Sequence, residues 1–418
     1  MRPSPSDPAP SDPAAMLPRV LCLLLANGQT TERAVATVEH LGRTFGTEVS
    51  LIPGWDHTWL RTGATGSWEP IPATPVGIDM QKVAATMRLV DSVCAGQTSP
   101  DSAASALAAI EALSPVGLLR FAIMAACGAM ALAVIFGATQ LAPILLIGLA
   151  ALLGGIVRRL LARVTRNLFI QPFAAAAIAG LVGAVSLRGW AGTPTSLVAL
   201  CPGMVLVPGP HLLNGALDLI RGRLSIGTTR LAYAMLILTI ISSGLLLGVS
   251  LGAAALPASE QSRTVPLALD VAAAGIAVLA YGTFFSMTWR SLPVSVLTGM
   301  AAHAIHWVLL NLAHGTLWLS AFASCLLVGI VMSLYADRVH LPYAGCAFAS
   351  VVSLIPGSYI FRMADSLVAA TSQPLDAAVP LLAAAAQDGT TALATFITMA
   401  GGLLLPRLVL RAPSPHET

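Results

Sequence analysis

Two textures of apolar and polar residues divide the chain. Up to about residue 116 the apolar positions recur at helical or alternating spacing among polar ones, and from Gly117 onward they run almost without pause. "TERAVATVEHLGRTFG" puts Val35, Val38, Leu41 and Phe45 on one face of a helix that ends at glycine, and "DMQKVAATMRLVDSVCAG" does the same with Met80, Val83, Met87 and Val90. "SPDSAASALAAIEAL" begins as a helix should, with Ser99 as N-cap and Pro100 in the first turn. "TEVSLI" and "HTWLRT" predict short strands, beside which Trp55, Trp59 and Trp68 supply bulk. In "MLPRVLCLLLANG", Pro18 and Arg19 interrupt the apolar run and no small-x-small cleavage site follows, so it predicts a helix of the same domain and not a signal peptide. Residues 17–116 therefore read as a small α/β domain, preceded by a Pro/Ser-rich tail, 1–16, that is expected to be disordered.

Beyond that domain, division at charged or Pro/Gly-rich junctions gives ten apolar spans of about 20 residues, the length that crosses a hydrocarbon core. They lie near 118–137, 139–157, 168–187, 193–219, 229–256, 266–288, 292–311, 316–335, 341–364 and 380–405. Composition agrees. The chain is 56% hydrophobic and 10% charged, far from the roughly 25% charged residues of soluble proteins. The fold class that follows is an all-α polytopic membrane protein, surrounded by membrane lipid and preceded by a small α/β domain.

Charge sets the orientation. Residues 1–117 hold seven Lys/Arg against eleven Asp/Glu, whereas 118–418 hold fifteen against eight. With residue 117 in the cytoplasm, twelve of those fifteen fall on that side and only Arg188, Arg263 and Arg362 on the other, which is the positive-inside asymmetry. The N-terminal domain and a C-terminal tail, 409–418, are then cytosolic, and the chain crosses the cytoplasmic (inner) membrane. Each cytoplasmic arginine, Arg158 and Arg159 included, reads as topogenic. The six cysteines are scattered through apolar surroundings without metal-ligand spacing and read as small hydrophobes.

Ten spans divide into five plus five, 117–257 and 258–408, and a repeat with an odd number of spans must insert its second copy upside down. "LVPGPHLLNGALDL" (206–219) aligns without gaps on "LIPGSYIFRMADSL" (354–367), pairing Pro208 with Pro356 and Gly209 with Gly357; the same offset pairs Pro194 with Pro342. Fourteen residues separate the two prolines of each span, about 21 Å of helix at 1.5 Å per residue, so each break falls inside a core about 30 Å thick. A mid-span Pro-Gly removes a helical hydrogen bond and frees backbone groups, which lipid does not tolerate but a polar cavity does. The breaks thus predict a central site for a small polar substrate, built from Pro208, Gly209, His211, Asn214, Pro356, Gly357, Ser358 and Arg362.

Ionisable residues at bilayer depth are the candidates for carrying protons. Asp388, among Gln387, Thr390 and Thr391, ranks first, and Asp270 second. Asp218 beside Arg221 reads equally as a transport residue or as an interfacial ion pair. His211 shares its helix face and sits closer to the break. Arg362 reads as a partner of Asp365, three residues on, or as a clamp for a substrate carboxylate. His303 and His306 share one side of a span without an evident carboxylate or cysteine, so they read as packing and not as a metal site.

Around these residues the chain resembles the threonine/serine exporter family. The resemblance begins at "LANGQTTERAVATVEHLGRTFG", continues through "GIDMQKVAATMRLVDSVCAGQTSPDSAASALAAI" and "PGMVLVPGPHLLNGALDLIRGR", and ends with the second half containing "LIPGSYIFRMADSL". It implies export of small hydroxy amino acids, threonine and serine, by antiport against protons. The wider superfamily includes a two-protein succinate exporter resembling the two halves fused here, which keeps small dicarboxylates as an alternative. A channel or sensor regulated by the cytosolic domain is a further one. The chain has no GxSG, GxGD or HExxH motif, and Ser358 has no evident base, so an enzyme is not expected; nor is a cofactor, a metal or a nucleic-acid partner. A homo-oligomer stays open.

Overall fold

The computed structural model describes residues 15–187, 196–252 and 264–410. The tail at 1–14, the C-terminal 411–418, Pro194, Arg188 and Arg263 lie outside the described residues.

The N-terminal part runs α1 (Met16–Ala26), α2 (Thr31–Thr44), β1 (Val49–Ile52), β2 (His57–Thr62), β3 (Glu69–Pro72), α3 (Met80–Cys94) and α4 (Pro100–Glu111). The strands form an antiparallel sheet in the order β1-β2-β3, with Leu51 opposite Leu60. Val38, Leu41, Val83, Met87 and Val90 of the predicted faces close over one core with Leu17, Leu21, Leu24 and Leu107, whereas Val35 stays partly exposed and Met80 packs into the core of the apolar part. Asp79 caps α3 by accepting the backbone N–H groups of Gln81 and Lys82, each at 3.1 Å. Ser99 caps α4, and Pro100 follows it in the first turn.

β3, "EPIP", is not among the strands the sequence predicts; it forms at the sheet edge, where one side of the strand needs no ladder donors and prolines are tolerated. One expectation needs correcting. Trp59 and Trp68 do not fill the core but stay 44% and 37% exposed, and Trp68 stacks under Arg61.

The apolar part continues with α5 (Leu118–Ile135), α6 (Leu141–Val164), α7 (Ile170–Leu187), α8 (Ser196–Met204), α9 (Gly209–Ile220) and α10 (Leu224–Leu251). After these come α11 (Leu267–Phe284), α12 (Leu292–Asn311), α13 (Leu317–Arg338), α14 (Tyr343–Val351), α15 (Gly357–Ala370) and α16 (Leu375–Val409). Among the described residues seven helices are long and apolar enough to cross a membrane. The pairs α8/α9 and α14/α15 each pass the same test as one span bent by 53° and 65°, which makes nine. The remaining expected span, 168–187, is α7, apolar but shorter.

Neighbour relations in the two halves correspond. α5 packs on α6, α6 on α7, α7 on α10 and α9 on α10; α11 packs on α12, α12 on α13, α13 on α16 and α15 on α16. α8 touches α5, α6 and α7, and α14 touches α11, α12 and α13. The counterparts α5 and α11 pack on each other.

Candidate substrate site and its ion pairs

Both bent pairs break at Pro-Gly in the same way. Pro208 (φ −84°, ψ 53°) and Pro356 (φ −78°, ψ 42°) each sit at the centre of a tight three-residue turn. The turns are closed by Gly209 N–H to the Val207 carbonyl at 3.0 Å and by Gly357 N–H to the Ile355 carbonyl at 2.8 Å. Proline fixes φ where this turn requires it, and the glycine after it begins the second half-helix. A buried tyrosine on α11 serves the first break: the Tyr281 hydroxyl donates to the Met204 carbonyl at 2.8 Å.

The breaks cross each other. Phe348 of α14 lies against Gly209, where an added Cβ would stand 1.4 Å from the ring, and Met204 of α8 lies against Gly357, with an added Cβ 3.2 Å from its Cγ. The first half of each broken span therefore packs on the second half of the other. Phe348 cannot swing aside, because its ring is held against Tyr281 and Phe285.

At the foot of the first break is a cavity of about 310 Å³, in the size range of small-molecule sites. Pro208 and His211 line it at the break; Arg158, Arg159, Tyr233, Asp79, Gln171 and Ser286 supply its other polar groups. His211 packs edge-on against the Tyr233 ring, centroids 5.2 Å apart. Asp79, outside the membrane-spanning helices, has its carboxyl pushed above the usual range by burial, an effect opposed by the N–H groups it caps.

The expected site residues do not gather in one place. Pro208, Gly209 and His211 are at the cavity and first break; Pro356, Gly357 and Ser358 are at the second. Asn214 faces the N-terminal domain, donating to the Gly28 carbonyl at 3.3 Å. Asp218 faces it too. The Thr31 hydroxyl donates to Asp218 at 2.9 Å and accepts from Arg230 at 3.3 Å, bridging two buried charges whose nearest atoms are 3.4 Å apart.

Thr31, Glu32 and Arg33 form one continuous clasp at the start of α2. Glu32 pairs with Arg221, and Arg33 with Asp337, which also takes Arg407 at 2.6 Å. Thr31 and Glu32 thus hold the first membrane half and Arg33 the second. The Met80 N–H adds a bond to the Phe285 carbonyl at 2.9 Å. Removing Arg230 leaves the buried Asp218 with only Arg223, 3.8 Å away and partly exposed, so Arg230→Ala is expected to destabilise the folded protein by about 3 kcal/mol, the lower end of the cost of breaking a buried pair. The double substitution Asp218→Asn/Arg230→Met should recover most of that loss, as read from thermal unfolding in detergent.

Two readings of the ionisable residues are corrected. Arg362 does not pair with Asp365. It crosses to α16, engages both oxygens of Asp388 and stacks on Tyr359. His303 and His306 do have a carboxylate beside them: Asp270 meets His303 Nδ1 at 2.8 Å. Among the described residues no group of three or more His, Cys, Asp or Glu is placed to hold a metal ion. The residues missed from sequence, Thr31, Asp79, Arg158, and Arg230 with Tyr233 on α10, come from four separate segments, and no local spacing joins those segments.

These features define a class, the multi-pass helical membrane proteins with a solute-sized cavity at a broken span. Comparison with known proteins narrows it. The family model "Putative threonine/serine exporter" matches residues 19–252, and "Threonine/Serine exporter, ThrE" matches 270–409. A "Probable threonine/serine exporter" of Mycobacterium tuberculosis (strain ATCC 25618 / H37Rv) is 25% identical over 365 residues, which cover 82% of this chain and 68% of that protein. No solved structure matches. The chain belongs to the threonine/serine exporter family, a family of membrane transport proteins.

Proposed function

We propose that the protein exports threonine and serine across the cytoplasmic membrane by proton antiport, with the two halves acting as inverted repeats that rock about the crossed breaks. The observation that carries this reading is the reciprocal contact of Gly209 with Phe348 and of Gly357 with Met204. A joint of this kind allows the halves to tilt without exposing broken backbone to lipid. Substrate enters from the cytosol through the cavity at Pro208 and His211, near Asn214 on the same helix, with Ser358 and Arg362 met in later steps.

Asp388 is the first candidate for the coupling proton, ahead of Asp270 and Asp218. It lies nineteen residues before Arg407 on α16, about 28 Å along the helix, so its pair with Arg362 belongs to the end away from the N-terminal domain. A protonated Asp388 no longer balances Arg362, which links proton entry to opening of that mouth. At the other end the Thr31–Asp218–Arg230 bridge holds the cytosolic mouth.

The test is uptake of labelled serine and threonine into inside-out vesicles with an acidic lumen, unlabelled succinate being the competitor. Gradient-dependent uptake that succinate leaves unchanged is the expected result. That Arg158 and Arg159 both line the cavity favours one second reading, a dicarboxylate exporter, which would require Arg159 to leave the Val116 carbonyl. Uptake of succinate in place of the amino acids would replace the first reading with it.

A further inference from the structure

Arg158 stands outside the ion pairs among the described residues and, unlike most cations that do, lies on a cavity wall. It is on α6, one turn and a half before the helix ends at Val164, and it lines the cavity beside Leu206 and Pro208 of the first break. Among the described residues no carboxylate forms an ion pair with it; its guanidinium lies over the face of Phe284, 4.9 Å from the guanidinium carbon to the ring centroid, and Tyr233 and Arg159 are close enough to act on its charge. Stacking uses the face of the guanidinium and leaves the N–H fork at its edge free, the part that matches a carboxylate.

Arg159, its neighbour, is differently engaged. It stacks on Phe121 at 4.3 Å and donates to the Val116 carbonyl at 3.0 Å. The cavity therefore offers one uncommitted cation, not two. Among its lining residues Asp79 is the only carboxylate. Positive-inside topology accounts for an arginine at this end of α6 but not for its placement on a cavity wall with no counter-ion.

Resting on the exporter reading above, we propose that this cavity is a zwitterion site, in which Arg158 holds the carboxylate of an α-amino acid and Asp79 faces its ammonium group. The hydroxyl-bearing side chain then points toward His211 and the break. The arrangement selects amino acids over dicarboxylates, because Arg159 is already engaged by Phe121 and the Val116 carbonyl and Asp79 repels a second carboxylate.

Binding to the purified full-length protein in detergent, measured by calorimetry, tests this with four probes: L-threonine, threoninamide, 3-hydroxybutyrate and succinate. Wild type is expected to bind threonine and to lose about 30-fold in affinity for threoninamide, which has no carboxylate; a charge-assisted hydrogen-bond pair is worth about that factor. Arg158→Gln should lose a similar factor for threonine, with Arg158→Lys between the two. Asp79→Asn, which still caps α3, should weaken threonine about tenfold and leave 3-hydroxybutyrate unchanged. Succinate bound in place of threonine, and lost in Arg158→Gln, would overturn the amino-acid reading and the role of Asp79 while upholding Arg158 as the anchor. Equal affinities in wild type and Arg158→Gln for every probe, or no binding of any probe to wild type, would overturn the site itself.

Discussion

Gly209→Ala is expected to stop threonine export, and the corresponding Gly357→Ala to leave most of it intact. The asymmetry comes from what each new methyl group meets. At Gly209 it would enter the ring of Phe348, which is packed among Tyr281 and Phe285. At Gly357 it would meet Met204, at 3.2 Å from its Cγ, on an unbranched side chain that can turn away. Forcing a methyl into a filled contact costs about 1–3 kcal/mol, and here the strain falls on the joint between the halves. Gly357→Val, with two further carbons, should fail as Gly209→Ala does. Flux per inserted molecule, with insertion checked by surface labelling, separates the cases. Equal flux in Gly209→Ala and wild type would remove the crossed breaks from the mechanism.

The second large effect is expected at Asp388. Asparagine keeps the shape but cannot carry the negative charge that balances Arg362, so Asp388→Asn should lose at least tenfold of the gradient-driven flux, about 1.4 kcal/mol of driving interaction. Exchange of threonine for threonine with no pH gradient should persist, because it needs no net proton movement. An unchanged response of Asp388→Asn to an imposed pH gradient would move the coupling proton elsewhere, to Asp270 with His303 or to Asp218 with Arg230.

What the sequence made legible was local. Apolar run length marked the spans, and Pro-Gly at matched positions marked the breaks, because proline and glycine act on their own backbone wherever they occur. Helix caps at Asp79 and Ser99 belong to the same category, although only Ser99 stood out in advance. β3 was hidden by its prolines, whose missing donors matter only inside a sheet.

The ion pairs were not legible, because distant packing chooses them. Arg362 has an acid three residues away at Asp365 and takes Asp388, twenty-six away, instead. His303 reaches Asp270 thirty-three residues back. Thr31 to Arg33 looked like the polar start of an ordinary helix, and its role as a clasp depends on Asp218, Arg221 and Asp337 meeting at one surface. Arg158 had a sufficient explanation in topology, so its open fork could be noticed only once its neighbours were known.

If one site serves both sides of the membrane in turn, the protein must catalyse counterflow. Proteoliposomes containing the purified protein are preloaded with unlabelled threonine and diluted into a trace of labelled threonine. A carrier working by alternating access exchanges the two, and the label is expected to overshoot its equilibrium level before decaying, in wild type but not in Gly209→Val. Monotonic filling to equilibrium with no overshoot would mean an open pathway through the protein, and would contradict the account.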